Sequence, residues 1–201
     1  MNPVESPISR RELEHRAEKE AIAQKAAELV EDGATLFLDA STTALALVRA
    51  LRGKQRLTIV TNGVRAVTEL ATRAGYTVIS TGGLLRDSSL AFVGPLAERA
   101  VSQYHVDWVF LSCKGITVER GMTESTELEA QLKHIMISHA DRAVALVDSS
   151  KFGHVAFTTI APISDLNILI TDEAAPPVIL EQVRRSGVEV MVASRGEGSQ
   201  S

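Results

Sequence analysis

Residues 35–51 read TLFLDASTTALALVRAL, and this stretch contains the pattern that decides the fold. Its beginning, Thr35–Leu38, is a short apolar run that is typical of a buried strand. Its end, Thr43–Leu51, has apolar residues at helical spacing. A polar loop that starts at Asp39 separates the two, so the stretch predicts a strand that leads directly into a helix. Such units build parallel α/β sheets.

The same alternation continues along the chain. Further strands are predicted at Leu57–Val60, Thr77–Ser80, Trp108–Ser112, Val144–Val147, Ile168–Ile170 and Val188–Val192. Further helices are predicted at Val64–Ala74, Leu128–Ala140 and Pro177–Ser186. Thr126 and Glu129 form a capping box at the start of the second of these helices. The alternation and the apolar strands predict an α/β fold, with a three-layer, mostly parallel sheet that is covered on both faces.

The N-terminal region predicts one long helix. The segment from Arg10 to Val30 contains no Gly or Pro, and Gly33 follows it where a C-terminal cap is expected. The first half of the segment is mostly charged, as expected of an arm that leaves the globular domain. We therefore expect a disordered tail at residues 1–9, a linker helix at 10–32, a globular domain at 33–193 and a disordered tail at 194–201.

The composition excludes several classes of protein. With 201 residues, 45% of them apolar, the chain can bury the core of one α/β domain. A net charge of −4 and an aromatic content of 4% argue against nucleic-acid binding by this chain itself. No apolar run is long enough to span a membrane, and the N-terminus lacks the apolar region of a signal peptide. Cys113 is the only cysteine, which predicts no internal disulfide and a cytoplasmic location.

Polar loops follow the predicted strands at the edge of the sheet where ligands bind in such folds. The first loop contains Asp39, Ser41, Thr42 and Thr43. Hydroxyls and backbone N–H groups at a helix N-terminus favour an anion, although a plain helix cap at Ser41 or Thr42 explains the sequence equally well. The later loops carry Asn62, then Gly82, Gly83 and Arg86, then Lys114, then Asp148 and Lys151.

Each of the later loops has two interpretations. Asn62 fits a helix cap better than a ligand contact. The paired glycines allow the backbone to approach a ligand closely, but they also fit an ordinary turn. The charged residues suit phosphate and sugar hydroxyls as well as they suit solvent or a loop ion pair. The five loops are more informative together, because all of them are compatible with an anion or a sugar.

No metal site and no cofactor are predicted. His134 and His139 are five residues apart, so they do not share one helical face in the way of a metal-binding pair. Neither a Ser-His-Asp nor a Cys-His arrangement can be read from the spacing, and Cys113 fits a space-filling role better than a reactive one.

Short motifs occur in a defined order along nearly the whole chain, from Arg10 to about Val192. They are Glu18–Ala23, Asp32–Asp39, Leu57–Asn62, Thr81–Gly83 with Arg86, Gly94, Lys114–Ile116, Gly121–Thr123 and Asp148–Gly153. This ordered set resembles the DeoR family of bacterial repressors. The resemblance implies a fold shared with ribose-5-phosphate isomerase, glucosamine-6-phosphate deaminase and CoA-transferases, and a phosphorylated sugar as effector. It assigns Asp39, Ser41, Thr42 and Thr43 to the phosphate end of a pocket that Gly82, Gly83, Arg86, Lys114, Asp148 and Lys151 complete.

The sequence departs from the family pattern in two ways. Ser41 stands where the family more often has glycine, so a positive φ there would strain the phosphate loop. The winged helix-turn-helix with which the family begins is missing from this sequence, and residues 1–9 cannot supply it.

The resemblance implies the effector-sensing domain of a DeoR-type transcriptional repressor of sugar metabolism. We expect a phosphorylated sugar to bind there and to control DNA binding by the absent N-terminal head. We also expect a homo-oligomer, no membrane partner and no enzymatic activity. The alternative is a sugar-phosphate isomerase or related enzyme on the same fold. The carboxylates available as its base are Glu124, Glu127, Glu129 and Asp148, but no motif marks one of them.

Overall fold

The computed structural model describes residues 7–194, in which helices and strands alternate. The helices are α1 (Ile8–Leu13), α2 (Arg16–Ala27), α3 (Thr42–Ala50), α4 (Val64–Leu70), α5 (Pro95–Val101), α6 (Glu127–Ser138) and α7 (Pro177–Arg185). The strands are β1 (Thr35–Leu38), β2 (Thr58–Thr61), β3 (Thr77–Ser80), β4 (Leu84–Arg86), β5 (Ala91–Val93), β6 (Val106–Leu111), β7 (Gly115–Thr117), β8 (Gly121–Glu124), β9 (Ala140–Leu146), β10 (Thr158–Ala161), β11 (Ile168–Asp172) and β12 (Glu189–Ala193).

The two tails predicted at residues 1–9 and 194–201 fall largely outside the described residues. Within the described part, Ile8 and Ser9 belong to α1 and not to a disordered tail. Within residues 7–194, no helix combines the length and the apolar character that a membrane span needs.

The centre of the fold is a seven-stranded parallel sheet with the strand order β12-β11-β9-β6-β1-β2-β3. All seven strands predicted from the sequence belong to it, so the prediction of an α/β fold with a mostly parallel sheet is confirmed. Alternate side chains of β1 enter opposite faces of the sheet, because side chains in a strand alternate. Leu36 and Leu38 share a core with α2, α3 and α4, whereas Phe37 shares one with α5, α6 and α7. The fold therefore has three layers.

The structure also contains two small antiparallel sheets, which the apolar pattern of the sequence does not predict. One consists of β10, β8 and β7, and the other is the hairpin of β4 and β5. Strands of three residues, such as β4 and β7, are too short to show the alternation by which strands are recognised. The β7–β8 hairpin matters for the site, because Lys114 and Glu124 lie at its two open ends.

The prediction of one continuous helix from Arg10 to Val30 is wrong. Helix α1 ends at Leu13 and α2 begins at Arg16. His15 lies between them with φ 52°, a left-handed conformation that no helix interior contains. The residue types around the break are all compatible with a helix, so the sequence pattern alone does not locate it.

A buried lysine stabilises the break between α1 and α2. The ammonium group of Lys19 donates to the carbonyl oxygen of Arg11 over 2.5 Å and to that of Glu14 over 2.7 Å. The last carbonyl groups of a helix have no partner within the helix and need one from elsewhere. Lys19, on α2, supplies that partner and so closes the end of α1.

Helix α1 packs on the globular domain. The prediction from its charged sequence, that it leaves the domain as an arm, is therefore wrong. Ile8 is buried, and its backbone N–H donates to the carbonyl oxygen of Ser88 over 3.1 Å. The guanidinium of Arg11 donates to the same oxygen over 3.3 Å. Glu12 forms ion pairs with an arginine of α3 and an arginine of α4. The charged residues of α1 therefore bind the domain through polar contacts.

Candidate functional site

A cavity of about 130 Å³ lies at the carboxyl edge of the central sheet, where ligands bind in parallel α/β folds. It is bounded by the loops that follow β1, β2, β6 and β9, by α6, and by the break between α1 and α2. Its lining residues are Arg11, Glu14, His15, Lys19, Ala40, Ser41, Thr42, Thr43, Asn62, Ser89, Ser112, Cys113, Lys114, Glu124, Glu129, Lys133, Asp148 and Lys151. A cavity of this volume has room for several water molecules, more than a single ion needs.

Most of the predicted site residues meet in this cavity. Those that line it are Ser41, Thr42, Thr43, Asn62, Lys114, Asp148 and Lys151. Those that do not line it are Asp39, Gly82, Gly83 and Arg86. The loops after four neighbouring strands thus converge as the parallel sheet predicts, whereas the loop after β3 stops short of the cavity.

The loop between β1 and α3 presents hydroxyl groups at a helix N-terminus. Ser41 is the N-cap of α3, and its Oγ accepts a hydrogen bond from the backbone N–H of Ala44 over 3.1 Å, as the cap interpretation requires. Thr42 and Thr43 follow in the first turn and lie on the cavity wall. Because Ser41 has φ −72°, serine at this position is unstrained. The helix dipole and the hydroxyls together favour an anion here.

Asp39 lies behind this loop and braces it. One carboxylate oxygen accepts a hydrogen bond from the backbone N–H of Ser41 over 3.0 Å. The other accepts from the N–H of Ser112 over 3.0 Å and lies 3.1 Å from Nζ of Lys133. Both oxygens of the carboxylate already have partners within the protein. Asp39 is therefore better placed to support residues 40–43, which we call the hydroxyl loop, than to contact a ligand.

Lys133 places a buried positive charge at the cavity wall. Its Nζ donates to Oε2 of Glu124 over 2.6 Å and to the carbonyl oxygen of Ser112 over 2.8 Å. Burial acts to lower the pKa of Lys133, but Glu124 and then Asp39 overcome it and raise that pKa overall. Burial acts to raise the pKa of Glu124, but Lys133 overcomes it and keeps that pKa below its usual range. The pair is therefore ionised at neutral pH.

Sequence reasoning missed Lys133, although a signal for it exists. Lys133 lies on α6 between Ala130 and Ile137 at the spacing of the buried helix face. A lysine in such an apolar stripe indicates a paired internal charge, because lone charges are rarely buried. The other lining residues that were not predicted are Arg11, Glu14, His15, Lys19, Ala40, Ser89, Ser112 and Cys113; Glu124 and Glu129 were considered only for the isomerase alternative.

Lys114 and Lys151 reach the cavity from adjacent loops. Gly115, directly after Lys114, has no space for a Cβ atom, which would meet the backbone of His154. The loop after β6 and the loop after β9 thus cross in close contact, and only glycine permits that approach. The crossing brings the two lysines to one site.

The cavity has a slight excess of basic groups. Its basic residues are Arg11, Lys19, Lys114, Lys133 and Lys151, and its acidic residues are Glu14, Glu124, Glu129 and Asp148. Lys19 is 6% exposed, and burial lowers its pKa despite the charge of nearby Asp148. A desolvated ammonium group favours an anionic ligand, because the anion compensates a charge that burial has deprived of water.

The loop after β3 supports the site from outside. A Cβ atom at Gly83 would lie 2.7 Å from the carbonyl oxygen of Val93, so glycine is needed for packing there. Arg86 places its Nε 3.6 Å from Oε2 of Glu129, which lines the cavity. The hydroxyl of Thr126 accepts from the backbone N–H of Glu129 over 3.4 Å and donates to its carboxylate over 2.8 Å, so one of the two backbone bonds of the predicted capping box is present.

The cap interpretation of Asn62 is wrong. Gly63 is the N-cap of α4, and the Asn62 side chain turns away to donate from Nδ2 to the carbonyl oxygen of Phe92 over 3.0 Å. Asn62 is 4% exposed and lines the cavity. The cap is not formed because Phe92, in β5, supplies a carbonyl acceptor for the Asn62 amide. The sequence around Asn62 does not reveal this contact.

The buried thiol of Cys113 is a weak acid. Burial raises the pKa of the Cys113 thiol to about 12, so the thiolate is scarce at neutral pH. Among residues 7–194, no group of three His, Cys, Asp or Glu side chains is arranged to hold a metal ion.

Comparison with known proteins relates this architecture to one family. The family described as the DeoR C terminal sensor domain matches residues 14–173. The uncharacterized HTH-type transcriptional regulator YulB of Bacillus subtilis is 43% identical over 183 residues, which are 91% of this chain and 70% of YulB. The glycerol-3-phosphate regulon repressor of Escherichia coli is 33% identical over 180 residues, which are 90% of this chain and 71% of that repressor. Ribose 5-phosphate isomerase A from Methanocaldococcus jannaschii shares the fold, with a TM-score of 0.51 and 18% identity over 69% of this chain and 55% of that chain.

Proposed function

This chain belongs to the DeoR C terminal sensor domain family, and we propose that its cavity is the sensor site for a phosphorylated sugar or polyol. Binding in the cavity controls DNA binding by a helix-turn-helix segment of a complete transcriptional repressor. Two relatives support this proposal, since both are transcriptional regulators by name and one is named after the glycerol 3-phosphate regulon.

The observation that carries the proposal is the meeting of the hydroxyl loop with Lys114 and Lys151 in one cavity. The N–H groups at the start of α3 and the hydroxyls of Thr42 and Thr43 are donors suited to phosphate oxygens. The two lysines neutralise the phosphate charge. The carboxylate of Asp148 is an acceptor suited to sugar hydroxyls.

The break between α1 and α2 supports a sensing role. Arg11, Glu14, His15 and Lys19 come from this N-terminal region and line the cavity. A molecule in the cavity therefore contacts the N-terminal helices directly. A ligand that binds two arrangements of these helices with different affinities shifts the balance between them, which is all that a sensor requires.

We further propose that the bound sugar phosphate is not converted. An isomerase needs a carboxylate base that is free to take a proton from a sugar carbon. Glu127 is exposed and is not among the residues that line the cavity. Glu124 is ion-paired with Lys133, Glu129 is bonded to the hydroxyl that caps α6, and Asp148 caps a short 3-10 helix. These internal partners support binding over proton transfer.

The binding proposal is tested by titration calorimetry with ribose 5-phosphate, glycerol 3-phosphate and hexose phosphates. The Lys151→Met substitution should weaken binding by about 1.5–3 kcal/mol, the usual contribution of a hydrogen bond to a charged group. Thr42→Ala should weaken it by a smaller amount with the fold intact. Lys54→Met, outside the cavity, is the matched control. Equal affinities in all of these variants would refute the assignment.

The non-enzymatic proposal is tested by NMR of the sugar itself. Each phosphorylated sugar that binds is incubated with the protein, and its spectrum should stay unchanged. Conversion to an isomer that is lost in Asp148→Asn would establish the isomerase alternative instead.

A further inference from the structure

Two uncharged side chains in the cavity wall contain buried atoms whose hydrogen-bonding capacity is unused. They are Oδ1 of Asn62 and Oγ of Ser89, neither of which has a hydrogen-bond partner within residues 7–194. The two residues are 4% and 3% exposed, and both line the cavity. Buried polar atoms are nearly always paired, so two unpaired atoms in one cavity wall indicate a ligand that pairs with them.

The orientation of the Asn62 amide is set by its neighbour. The Nδ2 group donates to the carbonyl oxygen of Phe92 over 3.0 Å, and the backbone of Asn62 accepts from the N–H of Phe92 over 2.8 Å. A carbonyl oxygen can only accept, so the amide nitrogen must stay on that side. Oδ1 is left as an acceptor, and an acceptor pairs with a donor such as a hydroxyl, not with a phosphate dianion.

Ser89 is held near Asn62 by the backbone around it. Gly63 forms a bridge with Ala91, and the N–H of Val64 donates to the carbonyl oxygen of Leu90 over 2.9 Å. Leu90 has φ 47°, a left-handed conformation that is rare for leucine. Strain of this kind persists where the surroundings impose it, and it is concentrated at functional sites.

We propose that Asn62 and Ser89 form a hydroxyl-recognition pair, which binds the neutral hydroxyl-bearing part of the molecule whose phosphate lies at the hydroxyl loop. The inference rests on the proposed function of the cavity. Asn62 accepts a hydrogen bond from a ligand hydroxyl, and Ser89, which can donate and accept, binds the same or an adjacent hydroxyl. The pair makes the site selective for a phosphorylated polyol or sugar over inorganic phosphate.

The decisive variant is Ser89→Ala, which removes only the unpaired hydroxyl. The matched control is Ser138→Ala, because Ser138 lies on α6 outside the cavity and its hydroxyl is already bonded to the carbonyl oxygen of Ile135. The measurements are calorimetric affinities for ribose 5-phosphate, glycerol 3-phosphate and inorganic phosphate, and the thermal midpoint of each protein without added anion.

Ser89→Ala should weaken binding of the tighter of the two organic phosphates roughly three- to tenfold, the range expected of one neutral hydrogen bond. Its affinity for inorganic phosphate and its thermal midpoint should not fall, because no bond within the protein is lost. Asn62→Ala also loses the bond to Phe92 and should lower the midpoint. Its diagnostic result is a weaker preference for organic over inorganic phosphate than the unchanged protein has, measured as the ratio of the two affinities.

The outcomes separate the two proposals. If the unchanged protein binds neither organic phosphate, the proposed function fails and the pair fails with it. If the unchanged protein binds one of them and Ser89→Ala binds it equally well, only the hydroxyl-recognition pair is overturned. An equal loss for organic and inorganic phosphate also overturns it, since Ser89 would then belong to the anion site.

Discussion

The ammonium group of Lys133 donates to a carboxylate oxygen of Glu124 over 2.6 Å in the wall of the cavity. Both side chains are almost completely buried, so each depends on the other for compensation of its charge. The pair connects α6 to the end of β8 and, through Asp39, to the hydroxyl loop. The hydroxyl loop is therefore built on a buried ionic cluster.

Loss of the buried ammonium group should be strongly destabilising. Lys133→Met leaves the Glu124 carboxylate and Asp39 without their cation, and removal of one partner of a buried ion pair costs about 3–5 kcal/mol. Urea unfolding measures the change in the free energy of unfolding. Lys25→Met, which removes an exposed ion pair with Glu28, is the control and should change it by less than about 1 kcal/mol. Similar effects of the two substitutions would contradict this account.

Glu124 should contribute to the acid sensitivity of the fold. Lys133 keeps the pKa of Glu124 below the ordinary value of 4.5, so ionised Glu124 stabilises the folded state above that pH. The contribution is lost as the pH falls through the lowered pKa. The difference in unfolding free energy between the unchanged protein and Glu124→Gln should therefore shrink below pH 4.5. Glu127→Gln, at an exposed position of α6, should show no such trend.

Anion binding should weaken at alkaline pH because of Lys19. Burial lowers the pKa of Lys19 below the ordinary value of 10.5, and a bound anion favours its charged form. Binding therefore takes up a proton once the pH exceeds the lowered pKa, and affinity falls as the pH rises further. Calorimetry with ribose 5-phosphate in buffers of different ionisation enthalpy measures this uptake. A pH profile that is the same in Lys19→Met as in the unchanged protein would exclude Lys19 as the cause.

Helix α1 should detach more readily when Glu12 is neutralised. Glu12 lies 2.6 Å from Arg49 and 2.9 Å from Arg65, and its side chain is 19% exposed. Glu12→Gln should speed amide hydrogen exchange in α1 while the central sheet stays protected, because local openings are controlled by local contacts. Glu20→Gln, which removes an exposed pair on α2, should leave exchange in α1 unchanged.

The thiol of Cys113 should be unreactive while the protein is folded. Its pKa of about 12 leaves almost no thiolate at neutral pH, and the residue is buried. Iodoacetamide should modify Cys113 rapidly in urea and slowly in buffer, as followed by mass spectrometry. Rapid modification in buffer would indicate that the cavity opens around β6 far more often than the packing suggests.

The central sheet could be predicted because its information is local. Parallel strands buried on both faces are apolar throughout, so runs such as Thr35–Leu38 stand out from the polar loops between them. The position of the cavity follows from the same reasoning, since strands of a parallel sheet end at one edge. That geometry is why Ser41, Lys114 and Lys151, which are distant in sequence, were predicted together and lie together.

The parts that could not be predicted depend on long-range contacts. The break at His15 is stabilised by Lys19, and Ser89 is placed by backbone bonds between the β2–α4 connection and β5. The loops that follow the strands do not indicate Lys133, because this residue enters the cavity from helix α6. The cap interpretation of Asn62 fails because its partner, Phe92, is remote in sequence.

The carbonyl oxygen of Ser88 anchors helix α1, and the side chain of the next residue lies in the cavity wall. One peptide unit thus separates the helix anchor from the cavity. A peptide unit is planar and stiff, so a shift of Ser89 reorients the carbonyl group before it and is not absorbed by side-chain rotation. We therefore expect that a ligand which displaces Ser89 also changes the angle at which helix α1 is held.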